Sequence, residues 1–276
     1  MLAVPSSDGV EVHAYDEGRG PTIVIVGPGL DDGTRTKKLS GLLAARFRVI
    51  RLHRRQYRLD LKRDPKLGGP PATIADEVED LLAIVRAVGE SVLLYGHSDG
   101  GVVALEALAT SPSSFTGGVI FEPAAVIDKP LAGEHGEVLA KARAALAAGR
   151  PDKAMAIFFR ETIELPAWQA PLAAMACALI PRLRRLVPCQ LDALEALDQL
   201  GNRLNTYATI RVPTLLLGGD RSPHHLVRRL DAIERAIPDA ERVVMAGRDH
   251  GADLKHPKDV ARIIESFADR IHTSAE

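Results

Sequence analysis

The chain has no surplus of charge of either sign. Its 35 Lys and Arg face 36 Asp and Glu, a formal net charge of −1. No broad field is therefore available to gather nucleic acid or an anionic membrane. No apolar run is long enough to span a bilayer. The opening residues, Met-Leu-Ala-Val-Pro-Ser-Ser-Asp-Gly, lack a basic segment leading into an apolar one, so no secretory leader is expected. A cytoplasmic protein with neither nucleic-acid nor membrane partner is the expectation. Cysteine occurs only twice, as Cys177 and Cys189. Two are too few for a disulfide framework, and their spacing fits no metal motif, so buried free thiols are expected ahead of a bridge.

What is present is alternation. Residues 10–16 alternate as a half-buried strand does, and 22–26, Thr-Ile-Val-Ile-Val, are β-branched throughout and read as a central strand buried on both faces. A helix is expected over 36–46, a strand over 47–52, and a loop over 66–71. Thr73 and Asp76 have the spacing of reciprocal N-terminal capping partners, and Gly89 that of a helix stop. The basic stretch 53–58, His-Arg-Arg-Gln-Tyr-Arg, reads as a solvated loop, with an anion-attracting mouth as the other reading. Strands return at 119–121, 214–218 and 242–245, with helices over 226–237 and 260–271. Between 124 and 209 strands vanish, and helical stretches at 139–148, 151–164, 166–180 and 191–200 take over. The domains expected are thus a core, 1–123 with 210–276, and a helical insertion, 124–209, with Trp168 in the insertion's core. Strands alternating with helices imply an α/β fold, a mostly parallel sheet with helices on both faces.

The chemistry concentrates at 91–101. An apolar run ends in Gly96-His97-Ser98-Asp99-Gly100, and helical spacing resumes with Val102, Val103, Leu105 and Leu108. Gly-x-Ser-x-Gly alone is a weak signal. Between a strand and a helix it has the form of a nucleophile elbow, a strained turn that lifts a serine hydroxyl clear while the helix aims N–H groups at the same point. The flanking glycines suit positions where two backbones crowd.

A serine hydroxyl needs a base, and the base needs a carboxylate to hold its tautomer and stabilise its cation. Of nine histidines, His250 follows a strand in a Gly-containing loop. His97 lies inside the elbow, His224 and His225 begin a helix, and His256 is already near the last one. Two carboxylates remain open as the partner. Asp220 follows the strand 214–218 and satisfies the order Ser, Asp, His; Glu122 ends the strand after the elbow helix. Asp220 is preferred. The oxyanion donors expected are the N–H of Asp99 and, since Pro28 has none, that of Gly29 or Leu30. The Asp99 side chain is read as a solvent-facing or helix-N-terminal carboxylate. Gly27–Leu30, Ser98, Glu122, Asp220 and His250 all fall at carboxyl ends of strands, where such sheets place their sites.

With the strand 23–26 and its loop, Gly-His-Ser-Asp-Gly at 96–100, Val-Pro-Thr-Leu-Leu-Leu-Gly at 212–218, and His250 followed by Pro257, the chain resembles the α/β-hydrolase fold superfamily from near residue 10 to near 272. It is most similar to small bacterial members, which share Tyr-Gly-His-Ser, here 95–98, and aromatic-Glu-Pro, here 121–123. The resemblance implies an eight-stranded sheet with a helical cap between the strands ending near 121 and starting near 213. The chain departs from many members in having Gly27-Pro28 for His-Gly, in lacking glycines after His53, and in placing Asp220 two rather than three residues after Gly218. Some members carry the acid where Glu122 sits. Dehalogenases and epoxide hydrolases of this fold need an aspartate at the apex; Ser98 points instead to acyl chemistry. The expectation is a serine hydrolase acting on a small-molecule carboxylic ester or thioester, with no metal or organic cofactor. An acyltransferase using the same residues and a non-catalytic small-molecule binder are the alternatives. A homodimer is the assembly considered.

Overall fold

Thr22–Val26 forms β3, and every residue in it is buried. Alternation explains why both faces must be covered. Val24 and Val26 join the apolar cluster on one side of the sheet, and Ile23 and Ile25 the cluster on the other. The same split recurs along β5 (Val92–His97), where Leu94 and Leu93 face opposite clusters. The computed structural model describes residues 1–68 and 71–273. The loop expected over 66–71 therefore lies partly outside the described residues.

The sheet has eight strands in the order β1-β2-β4-β3-β5-β6-β7-β8. β1 (Leu2–Pro5) and β2 (Glu11–Gly18) form an antiparallel hairpin, and β2 lies antiparallel to β4 (Arg48–His53). From β4 onward every pairing is parallel, through β3, β5, β6 (Phe115–Phe121), β7 (Thr214–Gly219) and β8 (Glu241–Met245). Between β3 and β4 runs α1 (Lys37–Leu43); α2 (Ile74–Val88) precedes β5 and α3 (Asp99–Thr110) follows it. α2 starts at the expected capping box, with the Asp76 N–H on Thr73 Oγ1 at 3.1 Å and the Thr73 N–H on Asp76 Oδ2 at 2.9 Å. It stops at Gly89, whose φ of 80° is in the left-handed region.

Between β6 and β7 the chain is helical: α4 (Glu137–Ala147), α5 (Pro151–Glu161), α6 (Gln169–Leu179), α7 (Pro181–Leu200) and α8 (Leu204–Tyr207). α9 (His224–Ala236), α10 (Ala252–Lys255) and the closing helix α11 (Pro257–Thr273) complete the order. No helix among the described residues is long and apolar enough to cross a membrane.

Several expectations are corrected. β1 was not anticipated; a four-residue edge strand ending in Pro5 has too short a pattern to read. α7 begins ten residues before the expected 191, running through Pro188, because packing of Leu186, Val187, Cys189 and Leu191 outweighs one missing backbone bond. Trp168 is not core. It is 69% exposed, since α6 docks by the small side chains of Ala170, Ala174 and Cys177 and turns its bulk outward. The basic stretch is not a solvated loop. Arg54, Gln56, Tyr57 and Arg58 are all buried. Cys177 and Cys189 are free and buried, and burial pushes both thiols up to about 11.

Candidate active site

Ser98 sits between the end of β5 and the first residue of α3, at φ 56° and ψ −124°. A non-glycine residue holds such angles only where its surroundings force it to. The turn is tight because a side chain at Gly96 would strike Ala104 and Gly100, and one at Gly100 would strike the carbonyls of Val26 and Gly27. The chain is thereby packed into contact with the loop after β3. The Ser98 N–H donates to the Phe121 carbonyl at 3.0 Å, which ties the apex to the end of β6.

That same end of β6 carries Glu122, at φ 40° and 1% exposed. His250 bridges the two. Its Nδ1 lies 2.7 Å from Glu122 Oε2 and its Nε2 lies 3.2 Å from Ser98 Oγ. With Nδ1–H donating to the carboxylate, Nε2 is left to accept from the serine O–H. The other oxygen of Glu122 accepts the Gly219 N–H at 2.8 Å. Burial pushes the Glu122 carboxyl up. The hydrogen bond and charge of His250, with the Gly219 N–H, more than offset this and leave it below the usual carboxylate range.

The preference for Asp220 is therefore corrected. Asp220 is exposed, and its Oδ1 accepts the Gly247 N–H at 2.7 Å while its own N–H donates to the Met245 carbonyl. It cross-links the turn after β7 to the turn after β8. Glu122 reaches His250 because β6 lies next to the strand that carries the serine.

The Asp99 N–H begins α3 and has no partner within the helix. Gly29 and Leu30, with Leu30 at φ 55°, form the facing loop and line the same cavity as Ser98 and His250. This opening, of about 110 Å³, has apolar walls from Leu131, Phe158, Phe159, Ile163, Leu194 and Leu197. Those residues come from the helical segment between β6 and β7. Among the described residues no group of three or more His, Cys, Asp and Glu side chains is placed to hold a metal ion.

Two buried networks brace the site, and neither was read from the sequence. Arg54, 1% exposed, grips Glu77 through Nε at 3.0 Å and Nη2 at 2.7 Å. Its Nη1 reaches the Gly27 carbonyl at 3.2 Å and Asp99 Oδ2 at 3.1 Å. One guanidinium thus holds both the loop after β3 and the first turn of α3. The Asp99 carboxylate is at a helix N-terminus as expected, but it is buried rather than solvent-facing. Tyr57 Oη lies 2.9 Å from its Oδ2 and 3.0 Å from Gln190 Oε1. Gln190 in turn covers Gly29, where a side chain would collide with its amide. Behind His250, the His97 ring stacks on Phe121 at 4.5 Å and stands 4.7 Å from the His250 ring. His97 Nδ1 is 3.1 Å from Asp253, which also takes Arg35 Nε and Nη2 at 3.3 and 3.1 Å. Burial pushes the Asp253 carboxyl up, but His97 and Arg35 override it and hold the carboxyl far below its ordinary value.

Fold and site together define an α/β protein with a serine elbow, a histidine and a buried carboxylate at the carboxyl edge of its sheet. The chain belongs to the alpha/beta hydrolase family, whose model matches residues 23–263. No curated protein matches it in sequence. An alpha/beta hydrolase from Sphaerobacter thermophilus DSM 20745 is similar in structure, with a TM-score of 0.77 and 27% identity, covering 96% of this chain and 99% of that one. The enol-lactonase from Burkholderia xenovorans LB400 is similar at a TM-score of 0.75 and 18% identity, covering 97% and 100%. A thermophilic esterase from Thermogutta terrifontis is similar at 0.74 and 20%, covering 98% of each chain. At these last two identities the likeness is one of fold.

Proposed function

We propose that the protein hydrolyses a carboxylic ester or thioester through an acyl-enzyme on Ser98. The observation that carries this reading is the continuous chain from Ser98 Oγ through both ring nitrogens of His250 to Glu122. His250 Nε2 takes the hydroxyl proton as Oγ attacks the acyl carbon, and Glu122 stabilises the imidazolium that forms. The carbonyl oxygen gains negative charge and is met by the Asp99 N–H and by an N–H from Gly29 or Leu30. The tetrahedral species collapses as the imidazolium protonates the leaving group. Water, deprotonated by the same ring, then attacks the acyl-Ser98 ester and restores the hydroxyl. In this reading the helices between β6 and β7 are a cap that encloses the acyl group.

Fluorophosphonate labelling tests it, read by peptide mass spectrometry. Phosphonylation of Ser98 is expected in the native protein and is expected to vanish in His250→Ala. Folded protein that carries no adduct on Ser98 would sink the proposal. Steady hydrolysis of p-nitrophenyl esters by the native protein, lost in Ser98→Ala, is the accompanying activity test.

A further inference from the structure

The cavity above Ser98 is apolar apart from a few groups, and two of these are arginines, Arg35 and Arg229. They differ in one respect. Arg35 is consumed by Asp253, which takes it bidentately. Arg229, on α9, has no carboxylate oxygen within 4 Å among the described residues and makes no side-chain hydrogen bond there. The acids whose charge it feels are Glu164, Asp198 and Asp128. Glu164 lies 3.2 Å from the ring of His225, whose charged form burial disfavours, so Glu164 keeps its charge, and Asp198 accepts the N–H groups of Leu131 and Ala132 at 2.6 and 2.8 Å. Burial holds the Arg229 guanidinium down, to about 10, as befits a cation short of a counter-ion. Arg229 is half-buried, and a guanidinium with no carboxylate within 4 Å among the described residues gains from an anion that meets it.

The arrangement also says which half of the substrate would carry that anion. A second opening adjoins the first and shares His250, Phe159 and Ile163 with it. It contains neither Ser98 nor the oxyanion loop. The leaving group takes its proton from His250 and so departs past that ring. The acyl half stays bonded to Ser98, in the cavity that Arg229 lines.

From this we infer that the substrate's acyl half ends in a carboxylate, which Arg229 receives in the cavity it lines together with Leu131, Phe158, Phe159 and Ile163. The inference rests on Ser98 as the acyl acceptor, and it narrows the substrate class to half-esters or half-thioesters of short dicarboxylic acids. Arg229 is a specificity-determining residue in this account, and its guanidinium suits bidentate capture of a carboxylate.

Two measurements test it. The first needs no turnover. Calorimetry on the Ser98→Ala protein compares glutarate with pentanoate, which has the same length and no second carboxylate. Glutarate is expected to bind about 10- to 100-fold more tightly, and Arg229→Gln to abolish the difference, with Arg229→Lys restoring part of it. The second compares kcat/KM for p-nitrophenyl hemiglutarate and p-nitrophenyl pentanoate. The ratio should favour the hemiglutarate and should fall by a similar factor in Arg229→Gln, mainly through KM. Equal binding of the two acids, or a preference that survives Arg229→Gln, overturns the inference. Esters cleaved without preference would overturn it while leaving the serine mechanism standing. Arg229-dependent glutarate binding by a protein whose native Ser98 resists phosphonylation would overturn the serine mechanism and, with it, the assignment of the carboxylate to an acyl half, leaving only an anion site at Arg229.

Discussion

Glu122→Gln is the substitution that bears hardest on the proposed mechanism. Gln has the same shape, so the Gly219 N–H can still be accepted and the buried position stays filled. What changes is the face presented to His250. A carboxylate can only accept from Nδ1, and so holds the proton there. With its oxygen retained by Gly219, the amide presents N–H₂ to Nδ1 instead. The ring must then accept at Nδ1 and carry its proton on Nε2, facing Ser98. That tautomer cannot take the serine proton. The charge is lost as well. Glu122 is 1% exposed, and its Oε2 is 2.7 Å from the ring. At a charge separation of about 4 Å and an effective dielectric constant of about 20, the attraction to the imidazolium is roughly 4 kcal/mol. At 1.36 kcal/mol per tenfold this is about 10³ in rate. The wrong tautomer can add to this, toward the roughly 10⁴ known for the same kind of substitution in the serine-protease triad.

The assay is the second-order rate of phosphonylation at Ser98, with the p-nitrophenyl ester burst beside it. Glu122→Gln should slow both by about 10³ to 10⁴, with the melting temperature near that of the native protein. Asp220→Asn should change either rate by less than about threefold, because among the described residues the Asp220 side chain bonds to the turn at Gly247 and not to His250. If Asp220→Asn is the slow variant and Glu122→Gln the fast one, the geometry argued above is wrong.

Other consequences can be measured independently. Asp31 is buried, one of its oxygens has no hydrogen-bond partner among the described residues, and burial raises its carboxyl from 3.8 to about 6. A raised acid favours the folded state while protonated and loses that contribution as pH rises through the folded value. Asp31→Asn should therefore gain nothing below about pH 4 and up to about 3 kcal/mol above about pH 6 in urea denaturation, and a pH-independent gain would refute the assignment. Tyr57→Phe removes the hydroxyl shared by Asp99 and Gln190 and should cost about 1–3 kcal/mol in stability with a slower acylation step; an unchanged melt would show the contact to be idle. The single tryptophan, Trp168, should emit at the long-wavelength, water-exposed end and be freely quenched by iodide. Blue-shifted, protected emission would contradict its placement.

Much of the sheet was legible because alternation and β-branching are local. Each core strand needs two apolar faces, and residues such as Ile23 to Val26 announce that without reference to anything else. The elbow was legible for the same reason, since its strand, turn and helix are contiguous. What failed to show was whatever depends on a distant partner. Arg54 reads as a surface cation until Glu77 and Asp99, on two different helices, close around it. Trp168 reads as core until the small residues of α6 prove to be the packing face. Arg229 reads as one more surface charge on an amphipathic helix, and only the cavity it lines sets it apart.

The acid illustrates the limit most sharply. Asp220 and Glu122 each follow a strand, each end at the same edge, and each come before His250 in the chain. Sequence order favours the first. Sheet order favours the second, because β6 is hydrogen-bonded to β5 while β7 is one strand further away. The Ser98 N–H on the Phe121 carbonyl then places the serine and the residue after Phe121 within reach of one imidazole. That contact exists only because β5 and β6 are paired in the register His97 to Phe121. The choice of carboxylate is thus a property of strand register, which no local pattern in either segment encodes.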